Sequence, residues 1–99
     1  MNITIKTLGF NAKPDLKDFV HDKAGKLSRF YDKIIECEVS FSIDKSSTKE
    51  NKVCDIKLSI PGNDLLATAQ CKTFEEANAQ CVDALQRQIE KRKTKLMTH

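Results

Sequence analysis

The chain has 99 residues, 39% of them hydrophobic and 31% charged, with 3 Gly and 2 Pro. That is one domain, 1–99, with enough apolar surface for one core, and it excludes a disordered, fibrous or low-complexity segment. The net charge of +3 is unevenly placed: residues 84–99 hold Arg87, Lys91, Arg92, Lys93 and Lys95 against Glu90 alone, while residues 1–83 hold 12 basic and 13 acidic side chains. Charge gathered at one end points to a polyanionic partner. The plain alternative is a solvated helix face. No apolar run approaches the roughly 20 residues of a membrane span. The start, MNITIKTLGF, alternates and carries Lys6 in place of a signal-peptide apolar stretch, so a leaderless cytoplasmic protein is expected.

Residues 2–8 alternate as a strand, with Ile3 and Ile5 on one face. Pro14 suits a first helical position, and Leu16, Val20, Ala24, Leu27 and Tyr31 trace the apolar stripe of a helix ending near Arg29 or Phe30. Residues 34–43 alternate again, with Ile35, Cys37, Val39, Phe41 and Ile43 facing one way. After the polar loop 44–51, strand 52–60 turns Cys54, Ile56, Leu58 and Ile60 inward. Pro61-Gly62-Asn63-Asp64 is turn chemistry, followed by a strand over 65–72 with Leu65, Ala67, Ala69 and Cys71 on one face. Thr73 with Glu76 three residues on has the form of a capping box. It opens a long helix reaching about Leu96, with Phe74, Ala77, Cys81, Leu85, Ile89 and Leu96 as its apolar stripe. The order β-α-β-β-β-α predicts an α+β two-layer sandwich: a four-stranded mixed sheet with both helices on one face.

Little points to an enzyme. His21 and His99 have no orienting carboxylate and nucleophile, and the three glycines are isolated. Asp15, Asp18 and Asp22 share a face away from the core stripe and read as solvated carboxylates pairing with Lys26 or Arg29. Cys37, Cys54, Cys71 and Cys81 lack paired metal-ligand spacing and all fall on inward faces, so buried thiols are expected, with no metal and no cofactor.

Two helix stripes carry more. Phe19, Lys23, Lys26, Phe30 and Lys33 recur at +4, +3, +4 and +3 beside the core stripe of the first helix. Arg87, Lys91 and Lys95 recur at +4 on the second, with Arg92 and Lys93 to either side. Such a surface suits a folded RNA backbone, while the strands' outward face has too few aromatics to stack single-stranded bases.

KAGKLSRFYDKI at 23–34, LSIPGNDLLATA at 58–69 and ALQRQIEKRKTKL at 84–96 resemble the helix, turn and strand signatures of the bacterial ribosome hibernation promoting factors, also called the ribosome-associated inhibitor family. The resemblance covers essentially the whole chain in order. It implies a stationary-phase or stress factor that binds ribosomal RNA of the small ribosomal subunit between head and body. There it stops translation by occupying the channel for messenger and transfer RNA, without catalysis or a small-molecule substrate. By the same resemblance the basic positions fall on Lys23, Lys26, Lys33, Arg87, Lys91 and Lys93. Arg92 stands where histidine is frequent, and Lys95 continues the run; Arg29 and Phe30 complete the expected RNA-binding set. Departures are the Phe30-Tyr31 order, Ala24 for a larger apolar residue, and Phe74-Glu75-Glu76 at the start of the second helix. The length resembles the family's short form, and a monomer off the ribosome is expected. The competing readings are a general double-stranded-RNA-binding domain and a protein-interaction adaptor using the wet sheet face.

Overall fold

The computed structural model describes the backbone of residues 1–46 and 49–97, with side chains as far as Lys91. The elements are β1 (Asn2–Thr7), α1 (Pro14–Phe30), β2 (Glu36–Ile43), β3 (Lys52–Ile60), β4 (Asn63–Cys71) and α2 (Phe74–Met97). The sheet order is β1-β2-β3-β4: β1 pairs parallel with β2, and the later pairs are antiparallel. The expected sandwich is therefore the observed one. Alternation puts Cys37, Val39, Phe41, Cys54, Ile56, Leu58, Ile60, Leu65, Ala67 and Cys71 in the core, beneath Leu16, Val20, Ala24 and Leu27 of α1 and Ala77, Cys81, Val82, Leu85 and Ile89 of α2. Leu96 and His99 lie outside the residues whose side chains are described.

The two β-hairpins are held by different devices. The Asp44 carboxylate accepts bonds from the Ser46 N–H at 2.9 Å and the Ser46 hydroxyl at 2.6 Å, and one from Gln70 Nε2 at 3.0 Å, which ties the β2–β3 loop to β4. These bonds hold the Asp44 carboxyl below its ordinary value of 3.8, with the Ser46 hydroxyl the largest contributor. The β3–β4 hairpin is tighter than expected, because Ile60 pairs directly with Asn63 and only Pro61 and Gly62 are left to turn. Proline fixes its own φ, and Gly62 takes φ +81°, so the turn needs no further residue and β4 begins at Asn63 rather than at 65.

A second difference lies at the entry to β2. Ile34 is buried, whereas Ile35 is 59% exposed, the reverse of the expected parity. Strand pairing starts only at Glu36, and Ile34 reaches the core from the turn that precedes it. Ile35 is held by its backbone, whose N–H donates to the Ser59 carbonyl at 2.8 Å. Similarly, β1 ends at Thr7, leaving Leu8 exposed in the connection.

Both helices start at the same end of the sheet. Pro14 opens α1 behind Lys13, whose carbonyl receives the Leu16 and Lys17 N–H groups at 3.0 and 3.2 Å. Thr73 caps α2 with its hydroxyl accepting the Glu76 N–H at 3.1 Å, as the sequence predicts. The Phe10 ring stacks on Phe74 with centroids 4.7 Å apart, and Phe41 meets Phe74 edge-on at 5.2 Å, which locks the start of α2 to the β1–α1 loop. α2 then runs back along β4: Gln80 and Ala84 lie beside Thr68 and Ala69, and Gln88 Nε2 donates to the Leu66 carbonyl at 2.9 Å. Since β1, β2 and β4 point one way and each helix returns against its strand, α1 and α2 run side by side in the same direction.

Candidate nucleic-acid interface

The two sheet faces differ in charge as well as in cover. The open face presents Asn2, Thr4 and Lys6 of β1, Glu36, Glu38, Ser40 and Ser42 of β2, Val53, Asp55, Lys57 and Ser59 of β3, and Asp64, Leu66, Thr68 and Gln70 of β4. Four carboxylates thus face two lysines. Both lysines are engaged: Lys6 pairs with Glu38, and Lys57 stands 3.7 Å from Asp64. The Lys6 hydrogen bond holds the Glu38 carboxyl below its usual range and raises the Lys6 ammonium above its own. Asp55 accepts the Thr68 hydroxyl at 2.7 Å. This face repels phosphate and offers no aromatic ring for a base.

The helical layer carries both signs: Asp15, Asp18, Asp22, Glu75 and Glu76 lie in the first halves of the helices, and most of the cations lie further along. Lys26, Arg29, Lys33, Arg87 and Lys91 are exposed, and Lys23 is half-exposed. Because the helices share a direction, their C-terminal ends lie at one end of the sheet, and Arg29, Lys33 and Lys91 are gathered there. Tyr31 leaves the helix in extended conformation (φ −146°) while its N–H still caps Leu27, so Lys33 sits in the turn after α1 rather than on its last turn. Phe30 is half-buried against the core. Arg92, Lys93 and Lys95 lie in the last turns of α2, and their side chains are outside the described residues.

The two stripes lie on one side of the sheet but on different flanks. Asp15 of α1 and Glu75 of α2 line one depression at the helix starts, so Asp15's side of α1 faces α2. Phe19 and Lys26, at +4 and +11 from Asp15, continue that side. Arg87 is 12 residues from Glu75, about 120° around α2, and lines a second depression with Thr68, Ala69, Gln80, Asp83 and Ala84 at the β4 edge. A polyanion reaching both stripes therefore straddles α2. Among the described residues no ion pair joins Asp18 or Asp22 to Lys26 or Arg29, so the expected pairing is not formed.

The four cysteines are free and buried. Burial, with a smaller push from Glu36, raises the Cys37 thiol to about 11. Cys54 is raised by its hydrogen bond with the Cys81 thiol and then by burial. No group of three or more His, Cys, Asp or Glu side chains able to hold a metal occurs among the described residues. Sequence reasoning missed Asn78, fully buried beside this pair with Nδ2 3.8 Å from Cys54 Sγ. The available signal was its position on α2, one residue past Ala77 and four before Val82, inside the apolar arc. No helix among the described residues is long and apolar enough to cross a membrane.

Comparison with known proteins places this geometry. The chain is 34% identical over 98 residues to a ribosome hibernation promotion factor of Bacillus subtilis, covering 97% of this chain and 50% of that protein, so it spans about half that relative's length. It is 28% identical over its full length to a ribosome hibernation promoting factor of Klebsiella oxytoca, which it covers completely. Among solved structures, a ribosomal subunit interface protein from Coxiella burnetii superposes with a TM-score of 0.84 over 95% of this chain and 99% of that one, at 22% identity. The N-terminal domain of Protein Y from Thermus thermophilus gives 0.78 over 92% and 98%, at 21% identity. The family described as Sigma 54 modulation protein / S30EA ribosomal protein matches residues 3–97. A sandwich with this strand order and this match along nearly its whole length belongs to that family.

Proposed function

We propose that this chain is a ribosome hibernation factor that binds the small ribosomal subunit through ribosomal RNA and idles it by occupying the channel for messenger and transfer RNA, in stationary phase or stress. It acts in the cytoplasm by occupancy, not catalysis, and is a monomer off the ribosome. The observation that carries this reading is the placing of exposed cations toward the C-terminal ends of both helices, while the helix starts and the open face of the sheet carry carboxylates. RNA phosphates meet the helical layer, and the acidic face fixes which way the protein sits. The names of the relatives support the ribosome as partner. The proposed contacts are Lys23, Lys26, Arg29, Phe30, Lys33, Arg87, Lys91, Arg92, Lys93 and Lys95, with Phe30 also packed against the core.

The test is co-sedimentation with purified small subunits. Arg87→Glu with Lys91→Glu puts two carboxylates where phosphate is expected and is expected to abolish pelleting, while the melting curve moves by less than about 0.5 kcal/mol because both sites are exposed. With about six ionic contacts the wild-type log–log salt slope is several units negative. Unchanged pelleting of the double variant in low salt refutes the reading. Tighter binding to any long duplex than to subunits supports a general double-stranded-RNA binder, and a flat salt dependence supports an adaptor.

A further inference from the structure

Of the five phenylalanines, Phe41 is buried and Phe10, Phe30 and Phe74 pack against the core. Phe19 does neither. It is half-exposed on α1, between the core residues Leu16 and Val20 and the polar surface. Its recorded ring contact is the Lys23 ammonium, 5.6 Å from the ring centroid. A ring on a helix with no place in the core leaves apolar surface in water, which folding alone does not reward.

We infer that Phe19 is a stacking platform for one unpaired base of the RNA held by the helical layer. This rests on the ribosomal-RNA reading above and gives Phe19, a member of the helix-one stripe that the resemblance does not count among the contacts, a role of its own. Three observations favour a base over an apolar protein surface. Among the described residues no large, fully exposed hydrophobic lies on a helix: Met1, Leu8, Ile35, Ile43 and Leu66 lie at the N-terminus, on strands or in their connections. Its neighbours are ionic: Lys23 at +4 and Lys26 at +7, with Asp15 at −4 and Asp22 at +3. Across the gap, the side of α2 facing this edge begins with Glu75. A flat apolar ring among charges matches a nucleotide, whose base has a π-face and whose phosphate suits Lys23 or Lys26, while Asp15, Asp22 and Glu75 keep the backbone off their side. Bases inside a duplex are already stacked and closed to a side chain, so the platform selects an unpaired position in folded RNA.

The experiment compares wild type, Phe19→Ala, Phe19→Leu and Phe19→Trp in binding small subunits across a salt series, with melting curves alongside. Phe19→Ala and Phe19→Leu are each expected to weaken binding about tenfold at every salt concentration, leaving the slope unchanged because no ionic contact is lost. Phe19→Trp, with a larger π-face, binds at least as tightly, and none of the variants melts early. Wild-type affinity in Phe19→Leu overturns the inference in favour of a simple apolar contact with a protein. Wild-type affinity in Phe19→Ala, or a changed salt slope, overturns it outright. A wild-type chain that fails to bind subunits overturns the ribosome reading itself, a result distinct from binding that ignores Phe19.

Discussion

Asn78→Ala is expected to make the protein more stable, although it truncates a residue with no solvent exposure. Among the described residues the buried Asn78 Oδ1 has no hydrogen-bond partner, and the amide nitrogen has the long contact to Cys54 Sγ at 3.8 Å. An orphaned buried acceptor costs about 1–3 kcal/mol, and the weak N–H···S contact returns about 0.5 kcal/mol at most. Alanine also has the better helix propensity, by up to about 0.7 kcal/mol. Against this, removing the amide leaves a void of ~25 Å³, costing about 0.6 kcal/mol at ~24 cal/mol per Å³. The balance favours alanine by about 1 kcal/mol, or roughly 4–8 °C in a domain of this size. Urea denaturation is the assay, with the midpoint rising at constant m. Leu85→Ala, also without exposure but wholly apolar, is the control and loses about 2–5 kcal/mol. A loss above about 1 kcal/mol in Asn78→Ala refutes the reasoning, because it means that the amide is well bonded in the native state.

The glycines divide by conformation. Gly25 lies inside α1 with nothing within 4 Å of an added Cβ, so Gly25→Ala gains about 0.8–1 kcal/mol in the same urea assay. Gly62 sits at φ +81°, and Gly62→Ala loses about 1–2 kcal/mol despite equal space. Cys37 gives an alkaline transition. Its thiol is raised from an ordinary 9.0 to about 11, so the folded state holds the proton longer than the unfolded chain. The resulting stability, roughly 2–3 kcal/mol, is full below pH 9 and is lost as pH rises through about 11. Cys37→Ala flattens that loss in denaturation curves taken across this range, and an unchanged pH profile counts against it. All four thiols alkylate slowly in the native state at neutral pH and fully in denaturant, and a chelator leaves the melting temperature unmoved; a chelator-induced loss of fold would reopen the cysteines as ligands.

Strict alternation made the sheet legible. Cys37, Val39 and Phe41, like Cys54, Ile56 and Leu58, admit one inward face, and Thr73 marks the start of α2 by chemistry alone. The alternation assigns Ile35 to the inward face and is wrong there, because two adjacent apolar residues fit either parity and the choice falls to the turn before β2, which is a tertiary matter. Asn78 reads as an interruption of the apolar stripe, since nothing local says that a polar residue is enclosed by Cys54 and Cys81. For the interface, helical spacing identified the basic residues, and the chain order implies parallel helices. The spacing does not give the rotation of each helix about its axis. That rotation puts Lys26 toward α2 and Arg87 toward β4, and it is set by which residues the core accepts.

The bond from Gln88 to the Leu66 carbonyl has a consequence for self-association. An open four-stranded sheet ends in two unpaired rows of backbone groups, each a template for another chain. On β4, an incoming strand would have to displace the Gln88 side chain from that carbonyl and push past α2, which lies along the strand. On β1, Lys6 reaches across the open face to Glu38 of β2, and among the described residues no side-chain hydrogen bond covers the outer rim. End-to-end growth of a fibre needs both rims to be adhesive, whereas a molecule with one adhesive rim is finished once two copies meet. Gln88 and the helix that carries it thus turn the failure mode of a crowded solution of this protein from open-ended polymer into, at worst, a closed pair.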